Sequence, residues 1–205
     1  MAGDPQHWDE IYEGRSDDEL SWSRSDQGLS LDLLARLAPP PAVVLDVGGG
    51  RSGLAAALLA AGWTQVAVLD LSAVALETAG LPEEVDRIVA DVTTWAPDRQ
   101  VDAWHDRAVL HFLLEEDERH AYAAVAAAAV RPGGVAIIGT FAPDGPERCS
   151  GLEVRRSSAR DVGRLLQADF TLEESHDEVH ETPWGAAQHF SWAVLRRRDG
   201  DPPRP

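Results

Sequence analysis

The stretch VVLDVGGGRSGLAAALLAAG, residues 43–62, decides how this chain reads. An apolar run ends at a glycine turn, and a helical run follows. Gly48, Gly50 and Gly53 spell G-x-G-x-x-G, the fingerprint of a strand–turn–helix that cradles a nucleotide. An acid, Asp46, stands two residues before the first glycine. In a dinucleotide enzyme the turn faces a pyrophosphate, and a carboxylate beside it would repel the ligand. At an effective dielectric near 20, two like charges about 4 Å apart cost roughly 4 kcal/mol. S-adenosylmethionine carries an ammonium, a sulfonium and a carboxylate but no phosphate, so an acid at that point helps. A strand-end carboxylate that merely caps the turn is the alternative for Asp46.

Working outward, apolar strands and helical stretches alternate: AVVLDV, QVAVLDL, DRIVAD, VDAWHD and VAIIGTF read as five strands with helices between them. Continuous apolar runs between helices indicate a parallel sheet covered on both faces. Two further strands are read in FTLEES and QHFSWAVLRR, so the fold class is a doubly wound, Rossmann-like α/β domain. Residues 1–40 read as an N-terminal helical extension or lid, 41–198 as the ligand-binding domain, and 199–205 as a disordered tail. The right-handed crossover rule places the first and fourth strands side by side, with the ligand at that switch point.

Composition limits the partners. The chain has 205 residues, a formal charge of −17, and no lysine, since all eighteen basic residues are arginine. That balance argues against nucleic acid, which needs clustered cations, and the missing lysine removes Schiff-base and P-loop chemistry. One cysteine, Cys149, allows no internal disulfide. The N-terminus has neither the basic start nor the apolar core of a signal peptide, and no run approaches the roughly 20 apolar residues that span a bilayer. A cytoplasmic protein with no membrane contact is expected, its oligomeric state undetermined.

Three further acids and their neighbours extend the ligand reading. Asp70 ends the second strand 22 residues after Gly48, where a carboxylate can accept from two ribose hydroxyls. Leu71 could lie against the adenine. Asp91 ends the third strand and could accept from the adenine amino group, with Val92 offering its backbone; Asp91 as a helix N-cap is an equal alternative. Asp106 at the end of the fourth strand and Arg107 and His111 after it are the catalytic candidates, with His105 behind them. Arg107 and His111, read as one helical turn apart, would face one cavity. The structural alternatives are an Arg107–carboxylate pair and a packed His111. The acidic run Glu115–Glu118 reads as a solvated helix start, and His176 and His180 lack the companions of a metal site, so none is expected.

The ordered set D-V-G-G-G (46–50), L-D-L-S (69–72), A-D-V (90–92) and R-P-G-G (131–134) resembles the class I S-adenosylmethionine-dependent methyltransferases, from about Ala42 to Arg197. The resemblance implies a seven-stranded sheet of order 3-2-1-4-5-7-6 with the seventh strand antiparallel. It also implies that Asp46 with Gly48, Gly49 and Gly50 holds the methionine part, Asp70 the ribose, and Asp91 and Val92 the adenine. Ser52 stands where the pattern has its third glycine. HWDEIY…SW and WHDRAVLHF are similar to an uncharacterised small bacterial subgroup. DRAVL resembles the D-R-G-A-L segment of thiopurine methyltransferases, which implies an acceptor-facing role for Arg107, with Ala108 replacing the glycine. The resemblance also allows Trp8, Tyr12 and Trp22 to close over the cofactor; an aromatic staple is the alternative. The acceptor is expected to be a small molecule rather than a protein. An NAD-dependent oxidoreductase and a non-catalytic S-adenosylmethionine-binding protein remain the competing readings.

Overall fold

The computed structural model describes residues 4–23 and 27–199. Residues 200–205, nearly all of the expected tail, lie outside the described residues. Seven strands form one sheet: β1 Val44–Val47, β2 Val66–Asp70, β3 Asp86–Val89, β4 Val101–Arg107, β5 Val130–Phe141, β6 Phe170–Glu181 and β7 Ala187–Arg197. Their order is β3-β2-β1-β4-β5-β7-β6. β1 to β5 pair in parallel, and β7 runs antiparallel to both β5 and β6. β6 is longer than the sequence indicates. It continues past the FTLEES run through His176 and His180.

The helices follow from local signals. α1, Pro5–Gly14, starts at Asp4, whose side chain accepts from the His7 N–H, with proline in the first turn. α2, Gly28–Leu37, runs into the proline stretch at 39–41. α3, Leu54–Ala60, begins just after the glycine turn. α4, Ala73–Thr78, is capped by the Ser72 hydroxyl, which accepts from the Ala75 N–H. In α5, Glu116–Ala129, the acidic run supplies the cap and first turn, where negative charge meets the positive helix end. α6, Ala159–Leu165, carries a Ser158/Asp161 capping box.

The β1 pleat sorts the two cores. Val44 and Val68 face the layer holding Leu33, Leu34, Leu54 and Leu58 of α2 and α3. Leu45, Val47 and Trp104 face the layer holding Tyr122, Ala126 and Val162 of α5 and α6. Each fully buried large side chain contributes roughly 1.5–3 kcal/mol. A third cluster, Ile11, Tyr12, Leu20 and Ala75, fixes α1 over α4 at the carboxyl end of the sheet. No helix among the described residues is long and apolar enough to cross a membrane.

Candidate active site

The floor of the site is the turn after β1. Gly48 and Gly50 have φ of +65° and +46°, the left-handed region that favours glycine. The space over the turn is also closed to side chains. A Cβ on Gly48 would run into Val109, one on Gly50 into the Tyr12 hydroxyl, and one on Gly49 would lie 2.6 Å from Asp46 Oδ2. Ser52, in the place of the pattern's third glycine, accepts from the Leu54 N–H at 3.0 Å and so caps α3.

Asp70 closes β2 beside this turn. Its Oδ1 accepts from the Ser72 N–H at 2.9 Å. Burial pushes its carboxyl up to about 6, against the pull of backbone N–H groups at Ser72 and Gly50. A cavity opens here, with Val47, Gly48, Leu69, Asp70 and Leu71 on one side and Ala90, Val92 and Val109 on the other. Asp91 does not line it; its Oδ1 accepts from the N–H and hydroxyl of Thr93, at 2.8 and 2.7 Å, as a turn cap.

The roof comes from the N-terminal segment. Trp8, Tyr12 and Trp22 line the same cavity, with Phe112, Arg107 and Cys149 on its far side. Trp8 meets Phe112 edge to face at 4.9 Å and Trp22 at 6.2 Å. The aromatics therefore both staple the segment down and wall the cavity. Asp9 holds α1 to α4 by accepting from the Ser72 hydroxyl. Arg51, from the glycine turn, donates to the Tyr12 and Arg15 carbonyls at 3.1 and 2.6 Å and pairs with Asp17. His180 Nε2 lies 2.7 Å from the Ser21 carbonyl oxygen, tying this segment to β6.

A second, more polar cavity lies on the other side of the glycine turn, lined by Asp46, Gly49, Ser52, Gln27 and His105, and meets the first at Trp22, Gly48 and Arg107. Asp46 is 3% exposed and lies opposite His105 in the β1–β4 register; His105 Nδ1 donates to Asp46 Oδ1 at 2.8 Å.

The end of β4 separates the three catalytic candidates. Arg107 reaches both cavities, donates to the Trp22 carbonyl at 3.3 Å, and stacks its guanidinium 4.6 Å from the Phe190 ring centre. Asp106 points the other way and is fully buried. It accepts from Tyr122 Oη at 2.6 Å and from the Val109 and Leu110 N–H groups at 2.8 and 3.1 Å. Burial pushes it up to about 6, with those bonds opposing. His111 lies not on a helix but in the 3-10 turn Leu110–Phe112. It is fully buried between Phe112 and Phe141, its Nδ1 accepting from the Phe141 N–H at 3.4 Å, and burial, then the Arg107 charge, push it down to about 3. The structure thus brings Arg107 to the cavity and leaves Asp106 and His111 off its wall.

Cys149 is buried on the cavity wall, and burial pushes its thiol up to about 11. His176 and His180 point to different partners, Glu174 and Ser21. Among the described residues no three His, Cys, Asp or Glu side chains gather as a metal site.

Comparison with known proteins decides among the sequence alternatives. Residues 44–134 match the methyltransferase domain family. That span runs from β1 into the first part of β5, and so includes the glycine turn, Asp70 and the end of β4. The chain is a class I S-adenosylmethionine-dependent methyltransferase. Its cofactor is S-adenosylmethionine, so the dinucleotide and non-catalytic readings fall away. The methyltransferase is similar to Burkholderia thailandensis 1,6-didemethyltoxoflavin-N1-methyltransferase, solved with its substrate and S-adenosylhomocysteine (25% identity, 95% of this chain and 84% of that one, TM-score 0.67). It shares its fold with N-methyltransferase NodS from Bradyrhizobium japonicum, solved with S-adenosylhomocysteine (15%, 95% and 99%, TM-score 0.70). It also shares it with a structure solved for the conversion of a disulfide bond into a thioacetal group during echinomycin biosynthesis (23%, 96% and 94%, TM-score 0.77). No curated protein matches the chain by sequence.

His105 as the partner of Asp46, Tyr12 over Gly50, and Arg51 as the clasp of the N-terminal segment are absent from the sequence reading. The His105 signal was present: Asp46 and His105 sit at matching depth on two strands that the crossover rule places side by side.

Proposed function

We propose that this methyltransferase acts on a small, flat acceptor that is anionic or carries a carbonyl, held between the aromatic wall and Arg107. The observation that carries the reading is the placement of Arg107 where the two cavities meet, beside Trp8, Trp22 and Phe112. A planar guanidinium binds a carboxylate or carbonyl through paired N–H donors, and edge-to-face aromatics suit a flat ring. The formal charge of −17 supports a small acceptor over nucleic acid. A single buried thiol suits a reducing compartment such as the cytoplasm.

S-adenosylmethionine supplies an electrophilic methyl group on a sulfonium. The residues present fit it: a glycine cradle that no Cβ could enter, and a buried acid at the end of β2. Asp70 would accept from the ribose hydroxyls, Leu71 and Val92 would flank the adenine, and Asp91 would cap the turn that carries Val92. Asp46 and the turn Gly48–Gly50 would face the methionine part, with Trp22 above. The rate then comes from alignment and from the exclusion of water by α1 and the aromatic roof. Asp106 and His111 hold the end of β4 in shape and move no proton in this reading.

The test is methyl transfer measured as S-adenosylhomocysteine release over flat aromatic carboxylates, phenols, lactams and amines. With an acceptor in hand, Arg107→Ala should cut turnover by about 100-fold while S-adenosylhomocysteine affinity stays within a few fold. Parallel loss of stability, cofactor affinity and turnover would remove Arg107 from the acceptor site.

A further inference from the structure

The acid of the glycine turn does not reach the cavity alone. One oxygen of Asp46 is bonded within the protein, and the other lies against the glycine turn. Oδ1 accepts from His105 Nδ1 at 2.8 Å, and Oδ2 lies under Gly49, where a Cβ would stand 2.6 Å away. His105 is 2% exposed and lines the polar cavity with Gly48, Gly49 and Ser52, and its Nε2 is buried with no hydrogen-bond partner. A carboxylate only accepts, so Nδ1 carries the shared proton; in the neutral form of the ring Nε2 then presents a lone pair. A buried acceptor left without a donor is costly, which marks it as a group waiting for a ligand.

We infer that His105 Nε2 accepts a hydrogen bond from the cofactor's ammonium, with Asp46 fixing the ring and supplying the negative charge behind it. This inference rests on the methyltransferase reading. The side of the glycine turn decides the ligand group. Asp70 and the apolar walls stand in the other cavity, so His105 faces the amino-acid end of the ligand rather than the adenosine or the aromatic wall. A ring that accepts at Nε2 and is backed by a carboxylate favours a cation and offers nothing to an uncharged chain. His105 is therefore a positioning residue that orients the methionine arm, and through it the sulfonium.

The test uses two probes: S-adenosylhomocysteine, and its analogue lacking only the amino group, 4-(adenosylthio)butanoate. Calorimetry on the wild type should show the analogue binding at least tenfold more weakly. His105→Ala should weaken S-adenosylhomocysteine about 10- to 100-fold and the analogue by less than about threefold, within the additivity expected of uncoupled groups. His105→Gln, whose amide oxygen reaches to the Nε2 position, should restore part of the preference. His105→Asn, which reaches only as far as Nδ1, should not. Equal losses for both probes, or rescue by Asn and not by Gln, would make His105 purely structural and overturn the inference. A wild type that binds the two probes equally would overturn it as well. A wild type that binds neither probe would instead strike the cofactor reading itself.

Discussion

Asp70 and Asp106 sit at the carboxyl ends of the two strands that flank β1, both buried and both pushed up to about 6 by burial. Their surroundings differ. Asp106 is wrapped by three donors from its own chain, the Tyr122 hydroxyl and two backbone N–H groups. Asp70 is met only by backbone N–H groups, those of Ser72, Gly50 and Leu71, and faces a cavity. A raised carboxyl at a switch point is thus no guide to chemistry by itself. What separates a holding acid from a binding acid here is whether it is sealed beneath its own chain or opens onto a cavity.

The comparison breaks most visibly at Asp106. Asp106→Ala leaves three buried donors without an acceptor, each worth about 1–3 kcal/mol, so denaturant unfolding should show a loss above about 3 kcal/mol. A stable variant with a selective loss of turnover would instead make Asp106 the base.

Asp70→Asn should do the opposite. An acid whose folded value is raised holds its proton more tightly folded than unfolded, so its ionisation destabilises the fold as pH rises from 3.8 to about 6. Asparagine removes that ionisation and still accepts from the Ser72 N–H, though its NH2 cannot accept from the Gly50 N–H, which sets the gain below the full linkage value. The variant should therefore gain on the wild type by up to about 3 kcal/mol between pH 4 and pH 7, read from unfolding curves at both pH values. At neutral pH its S-adenosylhomocysteine affinity should fall about 10- to 100-fold by calorimetry, because a charged acceptor for two hydroxyls is gone. A more stable protein that binds worse is the signature expected; loss of stability with unchanged affinity would place the ribose contact elsewhere.

The smallest effect lies one residue beyond Arg107. Ala108 has φ of +80°, a conformation that costs a non-glycine residue about 1–2 kcal/mol. Ala108→Gly removes that strain but adds about 0.4–1 kcal/mol of chain entropy in the unfolded state. The net gain in thermal unfolding should lie between zero and about 1.6 kcal/mol. A loss would show that the Ala108 methyl packs for more than the strain it costs.

The same residue explains where the sequence was hard to read. Strand and helix alternation carried the sheet order, because each buried strand shows as a continuous apolar run. Asp46 and Asp70 could be placed because each closes such a run. Past β4 the rules failed for a local reason: the left-handed residue at Ala108 reverses the chain, so the helical spacing assumed between Arg107 and His111 does not apply. Pleat alternation then sends Arg107 to the cavity face with His105, and Asp106 to the α5 face with Trp104. The Asp46–His105 pair depends on register across 59 residues, so it shows only once the two strands are set side by side and their depths matched. The extension of β6 was hidden because its alternating residues are acids and histidines rather than apolar side chains.

The aromatic roof has a further use as a built-in optical reporter. Of seven tryptophans, Trp8 and Trp22 stand in the cavity wall, Trp63, Trp104 and Trp192 are sealed in the core, Trp95 is half-buried against it, and Trp184 is 60% exposed. An indole's emission follows the polarity and contacts around it. Ligand entry alters the surroundings of the two wall tryptophans, while iodide added to the solution meets Trp184 first. Occupancy of the site and exposure of the hairpin tip can thus be followed as separate components of intrinsic fluorescence, with no label attached.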